Sequence, residues 1–143
     1  MSIKYLVDVN VLSEPMKPIP NDRVVRWLDQ HDAEYAVNPI VLGEIEFGIL
    51  ILPAGRRRVR LASWFDELAI RIPVFPIDTH VASEWAKMLA GLKAKGLTIP
   101  VKDSLIAATA RSHGLTIATR NTADFRHAGV PLVNPFESSG DNS

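Results

Sequence analysis

Four carboxylates stand where neither strand nor helix formation calls for an acid: Asp8, Glu44, Asp103 and Asp124. Asp8 closes the apolar run of YLVDVNVLSE, although aspartate is depleted in strands and the residues before it head for a core. Glu44 lies in NPIVLGEIEFGI among Ile, Val and Phe, with Gly43 beside it read as room for another backbone to approach. Asp103 opens the Ala-rich VKDSLIAATA, and Asp124 sits in the turn TRNTADF. Together such oxygen donors suit a hard cation, because Mg²⁺ and Mn²⁺ prefer oxygen and keep waters for a phosphate-bearing substrate. A cation there lowers the pKa of bound water and offsets the charge of an in-line phosphoryl displacement. That is nuclease chemistry, although spacing alone does not select it over another carboxylate site.

Each acid also has a plain structural role open to it. Asp103 near a helix start is favoured by the helix dipole and can serve as a cap. Glu44 and Glu46 face differently, since two residues turn a helix by about 200°, and either can point to water. Asp124 suits an ordinary turn. Asn10, Ser13, Thr119, Arg120 and Asn121 flank the four acids and carry donors that a phosphate or a metal-bound water uses; they are equally at home as turn and capping groups. Arg56, Arg57, Arg58 and Arg60 fit either an RNA backbone contact or a solvated loop. Trp27, Trp64 and Trp85 fall in amphipathic patterns that point to core or subunit contacts. His31, His80, His113 and His127 have no metal-ligand spacing and no assigned catalytic role. Asp78 in PIDTHVASE reads as a helix cap and is kept out of the site.

The elements that must position these groups alternate. Short apolar runs at Ile3–Asp8, Tyr35–Val37, Val74–Ile77, Leu115–Thr119 and Leu132–Val133 read as strands. Asn21 caps a helix with Val24, Val25 and Leu28 on one stripe, and Pro39 starts another running through Ile45 and Ile49. Arg56–Leu68, Thr79–Lys95 and Asp103–His113 complete the helices, with Gly96 and Gly114 as stops. Strands of about five residues joined by helices imply a parallel sheet covered on both faces, an α/β class in which ligands gather at the carboxyl ends of the strands.

Composition narrows the classes further. With 47% hydrophobic and 22% charged residues, 143 residues suit one globular domain. The tail 137–143, ESSGDNS, reads as disordered. The absence of cysteine excludes disulfides, thiolate metal sites and cysteine nucleophiles. Lys+Arg and Asp+Glu are balanced at 16 each, so whole-chain charge argues for no nucleic-acid partner. There is neither a signal-peptide pattern nor an apolar run near the ~18 residues that span a bilayer, so a cytoplasmic protein without membrane contact is expected.

The motifs YLVDVNVLSE, GEIEFGI, IPVKDSLIAATARSHGLTIATRNTADF and VPLVNPFE, in this order from about Ile3 to Phe136, resemble the landmarks of a PIN domain and closely resemble its VapC and FitB-like toxin branch. The resemblance implies a three-layer α/β/α domain over 1–136. It further implies a metal pocket of Asp8, Glu44, Asp103 and Asp124, and Mg²⁺- or Mn²⁺-dependent cleavage of RNA. Homodimerisation and inhibition by a small antitoxin, in a heterotetramer or larger complex, are implied as well. One departure stands in the first motif, where the family commonly reads D-T-N and this chain has Asp8-Val9-Asn10; the lost hydroxyl bears on catalytic efficiency rather than on fold. Three other readings stay open: a phosphotransfer or phosphatase domain, a catalytically weak or inactive binding module, and a housekeeping nuclease without an antitoxin.

Overall fold

β1 (Tyr5–Val7) supplies the central strand of a four-stranded parallel sheet ordered β2-β1-β3-β4, in a computed structural model that describes residues 2–137. The remainder of the tail expected to be disordered, 138–143, lies outside the described residues. β2 (Tyr35–Ala36) pairs with β1 on one side and β3 (Thr116–Ala118) on the other, in the register Leu6 to Ala36 and Leu6 to Ile117. β4 (Leu132–Val133) extends the sheet beyond β3. Both faces of the sheet are covered, and Leu6, Val7, Ala36, Ile117 and Ala118 have no solvent exposure.

Chain order reverses at β1. From it the chain crosses to β2 through α1 (Val9–Leu12), a 3₁₀ turn (Glu14–Met16) and α2 (Asp22–Gln30). It reaches β3, on β1's opposite side, only after α3 (Pro39–Leu50), α4 (Arg56–Arg71), α5 (Thr79–Ala94) and α6 (Val101–His113). The last crossover contains α7 (Thr122–Phe125). Such a reversal opens a crevice at the carboxyl ends of the two strands beside it, here β1 and β3.

Local chemistry explains most boundaries. Asn21 accepts from the backbone N–H groups of Arg23 and Val24, and Asp78 accepts from Val81 N–H at 2.9 Å, so both cap as expected. Gly96 and Gly114 adopt φ of +70° and +64°, the left-handed region that ends a helix. Asn38 is fully buried: its Oδ1 caps α3 through Val41 N–H at 3.1 Å, and its Nδ2 donates to the Thr109 hydroxyl of α6 at 3.2 Å. One side chain therefore sets α3 against α6. α6 in turn buries Ala107, Ala108 and Ala110, whose small size lets the helix sit close to the core.

Several sequence expectations are corrected. Val74–Ile77 is no strand: only Val74 bridges to Val37, since Pro76 has no N–H to continue a ladder. The helix read as Asp103–His113 begins at Val101, which places Asp103 within the first turn rather than at its start. Asp124 lies in α7 and not in a plain turn. Gly43 admits no close neighbour, since a Cβ there would meet nothing within 4 Å. The tryptophans are half-buried against the core as expected; Trp27 packs edge-on to Tyr5 with ring centroids 4.8 Å apart, and Trp85 donates to the Ser104 hydroxyl at 2.8 Å.

Candidate active site at the carboxyl edge of the sheet

Asp8 stands immediately after β1 and is 5% exposed. Its backbone N–H still belongs to the sheet, donating to Ala118 O at 2.9 Å, while its side chain caps α1 by accepting from Val9 N–H at 2.8 Å. The other carboxylate oxygen accepts from the Thr119 hydroxyl at 2.8 Å and from Asn10 Nδ2 at 3.2 Å. Three neutral donors thus hold the carboxylate in place and leave lone-pair capacity on the exposed side. No cationic side chain pairs with Asp8, Asp103 or Asp124 among the described residues.

Thr119 ends β3 as Asp8 ends β1, and the two meet because Val7 and Ala118 are in register. The Thr119 hydroxyl also accepts from Asn121 N–H at 3.0 Å, and Asn10 Oδ1 accepts from Arg120 N–H at 2.9 Å. Asn10 and Thr119 therefore tie the two strand ends together and fix the backbone of 119–121. Asn121 contributes its backbone; its exposed side chain caps nothing in α7. Ser13 is turned inward on α1, donating to Val9 O at 2.7 Å, so its hydroxyl is spent within the helix. Arg120 lies over the Phe136 ring, 4.0 Å from its centroid. The substitution read at Val9 removes a hydroxyl from a side chain that packs against the core.

Asp8, Glu44 on α3 and Asp124 on α7 all lie near enough to Asp103 on α6 for their charges to act on its carboxyl. Glu44 is half-buried and Glu46 exposed, which resolves the choice between them. Burial, reinforced by the charges of Asp8, Asp124 and Glu44 in that order, pushes the Asp103 carboxyl up from 3.8 to about 6, against a small opposing pull from Lys102. Four acids from four elements thus share one electrostatic environment, and Asp103 is its centre. Lys102 pairs instead with Glu44 at 3.4 Å, and its own side chain is 65% exposed.

The donor set is all oxygen, as a hard divalent cation requires. Among the described residues no three acidic or histidine side chains stand ready to enclose an ion. Mg²⁺ and Mn²⁺ are held through one or two carboxylates and retain waters and substrate oxygens, so a site for them does not require a closed cage.

Sequence reasoning missed the buried Glu14. Burial pushes its carboxyl up, but the Lys17 ammonium at 2.9 Å and Asn21 N–H at 2.8 Å outweigh that and hold it below the usual range. It joins the 3₁₀ turn to the α2 cap, and the only sequence signal for it was an acid amid an apolar stretch. His31 and His113 are engaged elsewhere: His31 contacts Glu34 at 2.8 Å and His113 stacks on Phe75. The arginines at 56–58 and 60 stand in the first turns of α4, where Arg57 lines a cavity that Glu44 also borders.

A parallel sheet whose chain order reverses at β1, with acids from α3, α6 and α7 acting near the end of that strand, defines an α/β protein with a candidate site at its switch point. The PIN-domain family model matches residues 5–131, and the chain belongs to the PIN-domain family. It is 36% identical over 135 residues to toxin FitB of Neisseria gonorrhoeae, covering 92% of this chain and 97% of that protein. It is 35% identical over 136 residues to VapC ribonuclease Y4jK of Sinorhizobium fredii, with 92% and 97% covered. A solved structure of FitAB bound to an IR36 DNA fragment superposes with a TM-score of 0.87 at 34% identity, covering 94% of this chain and 97% of that one.

Proposed function

We propose that this protein is a Mg²⁺- or Mn²⁺-dependent endoribonuclease that hydrolyses RNA phosphodiester bonds and acts as the toxin of a toxin–antitoxin pair. The observation that carries this reading is the Asp8 carboxylate held by Val9 N–H, Asn10 and Thr119 at the switch point of a PIN-domain sheet, with the charges of Asp8, Asp124 and Glu44 acting on the Asp103 carboxyl. Asp8, Glu44, Asp103 and Asp124 are the residues assigned to hold the cation. When bound there, the cation supplies a water of lowered pKa and neutralises charge developing on the phosphate.

The chain's own contribution is placement. Thr119, Asn10 and Val9 N–H lock the Asp8 carboxylate, so one acid is rigid before anything binds. Asp103, whose carboxyl is pushed up by burial and then by the charges of Asp8, Asp124 and Glu44, is the acid whose ionised form a cation beside it relieves most. Asn10 and Thr119 take up the backbone N–H groups of Arg120 and Asn121, which fixes the end of β3 beside Asp8 and leaves the exposed Asn121 side chain toward solvent at this edge. The relatives named as toxin FitB and VapC ribonuclease, and a neighbour solved as FitAB on DNA, support an antitoxin partner for this chain as well. Assembly as a homodimer, or a larger complex with that antitoxin, follows the same reading.

Incubating the purified protein with end-labelled tRNAs and a sequence-matched DNA, in Mn²⁺ and in EDTA, checks this. Discrete RNA fragments that appear only with Mn²⁺ are expected. Cleavage that persists in EDTA, or intact RNA under every condition with folded, antitoxin-free protein, contradicts it.

A further inference from the structure

A cleft of about 300 Å³ opens between the α5–α6 connection and the segment that follows α7, and Asp124 is part of its wall. Leu97 and Ile99 provide an apolar side, and Arg126 and His127 provide a cationic and aromatic-like one. How the second side is displayed matters. Phe125 and Ala128 are buried at 0% and 1% exposure, Ala128 N–H donates to Phe125 O at 3.0 Å, and Arg111 Nη1 donates to Ala128 O at 3.2 Å. Ala128 is thereby tied to α6 and Phe125 sunk in the core on either side of residues 126 and 127, which are exposed and line the cleft.

Arg126 makes no ion pair and no side-chain hydrogen bond among the described residues, in contrast to the other cations near the site. Lys102 is engaged by Glu44, Arg111 by Glu84 at 3.0 Å, and Arg120 by the Phe136 ring. An uncompensated guanidinium beside a carboxylate cluster has an evident complement in a polyanion that reaches the cluster. An imidazole and two branched aliphatic side chains are a surface on which a splayed-out base stacks, as single-stranded RNA is commonly read.

We propose that this cleft is the subsite for the nucleotide next to the scissile phosphate, with Arg126 holding that nucleotide's phosphate and the His127 ring stacking on its base against Leu97 and Ile99. The inference rests on the ribonuclease reading and deepens it. It makes the cleft, rather than the carboxylates, the place where the RNA strand is gripped and its local sequence sensed.

The test uses a fluorescent, mixed-sequence single-stranded RNA, with binding followed by anisotropy in EDTA and cleavage followed in Mn²⁺. Arg126→Gln is expected to weaken binding about tenfold, the value of one charge-assisted hydrogen bond. The slope of log affinity against log salt is expected to fall by about 0.7, the contribution of one single-strand phosphate. KM should rise while kcat stays within about twofold, and Arg126→Lys should recover the salt slope because it restores the charge. His127→Ala should weaken binding several-fold without altering the slope. Lys87→Gln, an exposed cation on α5, should change nothing. Wild-type affinity and salt slope in Arg126→Gln, with RNA cleaved normally, overturn the subsite and leave the ribonuclease reading standing. The same holds if Arg126→Gln weakens only antitoxin binding, since the cleft then belongs to the protein partner. A wild-type protein that neither binds nor cuts the RNA overturns both.

Discussion

Replacing Asp8 with Asn is expected to lower RNA cleavage by on the order of a hundredfold or more and to abolish the growth arrest caused by expressing the protein alone. Removing even an outer partner of a metal ligand typically costs about 10–100-fold, and Asp8 is assigned as a ligand itself. The substitution preserves shape, and the retained amide oxygen can still accept from Val9 N–H. The new NH₂ then faces the Thr119 hydroxyl and Asn10 Nδ2, both of which donate to Asp8 now, at a stability cost of roughly 1–2 kcal/mol. A melting curve on the same preparation therefore accompanies the assay. A folded Asp8→Asn protein that still arrests growth would remove Asp8 from the site.

Replacing Asp103 with Asn should raise the melting temperature of the metal-free protein, and only above a defined pH. The folded-state pKa, about 6, lies above the ordinary value of 3.8. Well below the ordinary value of 3.8 the carboxyl is protonated in both states and carries no penalty. As pH climbs from 4 to 6 the unfolded chain ionises first, so the penalty on the folded state grows, and above 6 it is complete. The full rise is worth roughly 3 kcal/mol. Asp103 is only partly buried, so screening leaves about 1 kcal/mol, or roughly 3 °C at this chain length. Scanning calorimetry in EDTA at pH 7.5 and at pH 4 reads the difference directly. A variant less stable than wild type at pH 7.5 would make Asp103 an ordinary helix-dipole residue, as its place in the first turn of α6 also permits.

Much of this architecture was legible because its punctuation is strong. Asn21, Pro39, Asp78, Gly96 and Gly114 each fix a helix end by a local mechanism that acts whatever the tertiary context, and the structure uses all five. α1, the 3₁₀ turn and α7 were not legible, since three or four residues are too few to display a period. Val74–Ile77 misled because apolar content outweighed the two prolines around it. Asp103 was read as the start of its helix because its acid is a familiar N-terminal signal, whereas the helix begins just after Pro100.

The acids themselves were legible as residues out of place; their convergence was not. Asp8 meets Thr119 through the β1–β3 register, and α3 with Glu44 is set against α6 with Asp103 by Asn38 reaching across to Thr109. Neither contact leaves a trace in local sequence, and only the ordered resemblance of the motifs stood in for them. Arg126 drew no reading and His127 none beyond the lack of a metal-ligand spacing, for a similar reason, since their display depends on the burial of Phe125 and Ala128 on either side.

The measurement that bears most directly on a single shared cation site is the thermal stabilisation of wild type and Asp103→Asn across a Mn²⁺ titration without substrate. At a hundredfold excess over Kd a bound cation stabilises the fold by about 2.7 kcal/mol, which is roughly 8 °C for a protein of this size. The wild-type melting temperature should climb with the logarithm of Mn²⁺ concentration while that of Asp103→Asn moves far less. Equal shifts in the two proteins, or none in either, would contradict a four-carboxylate cation site.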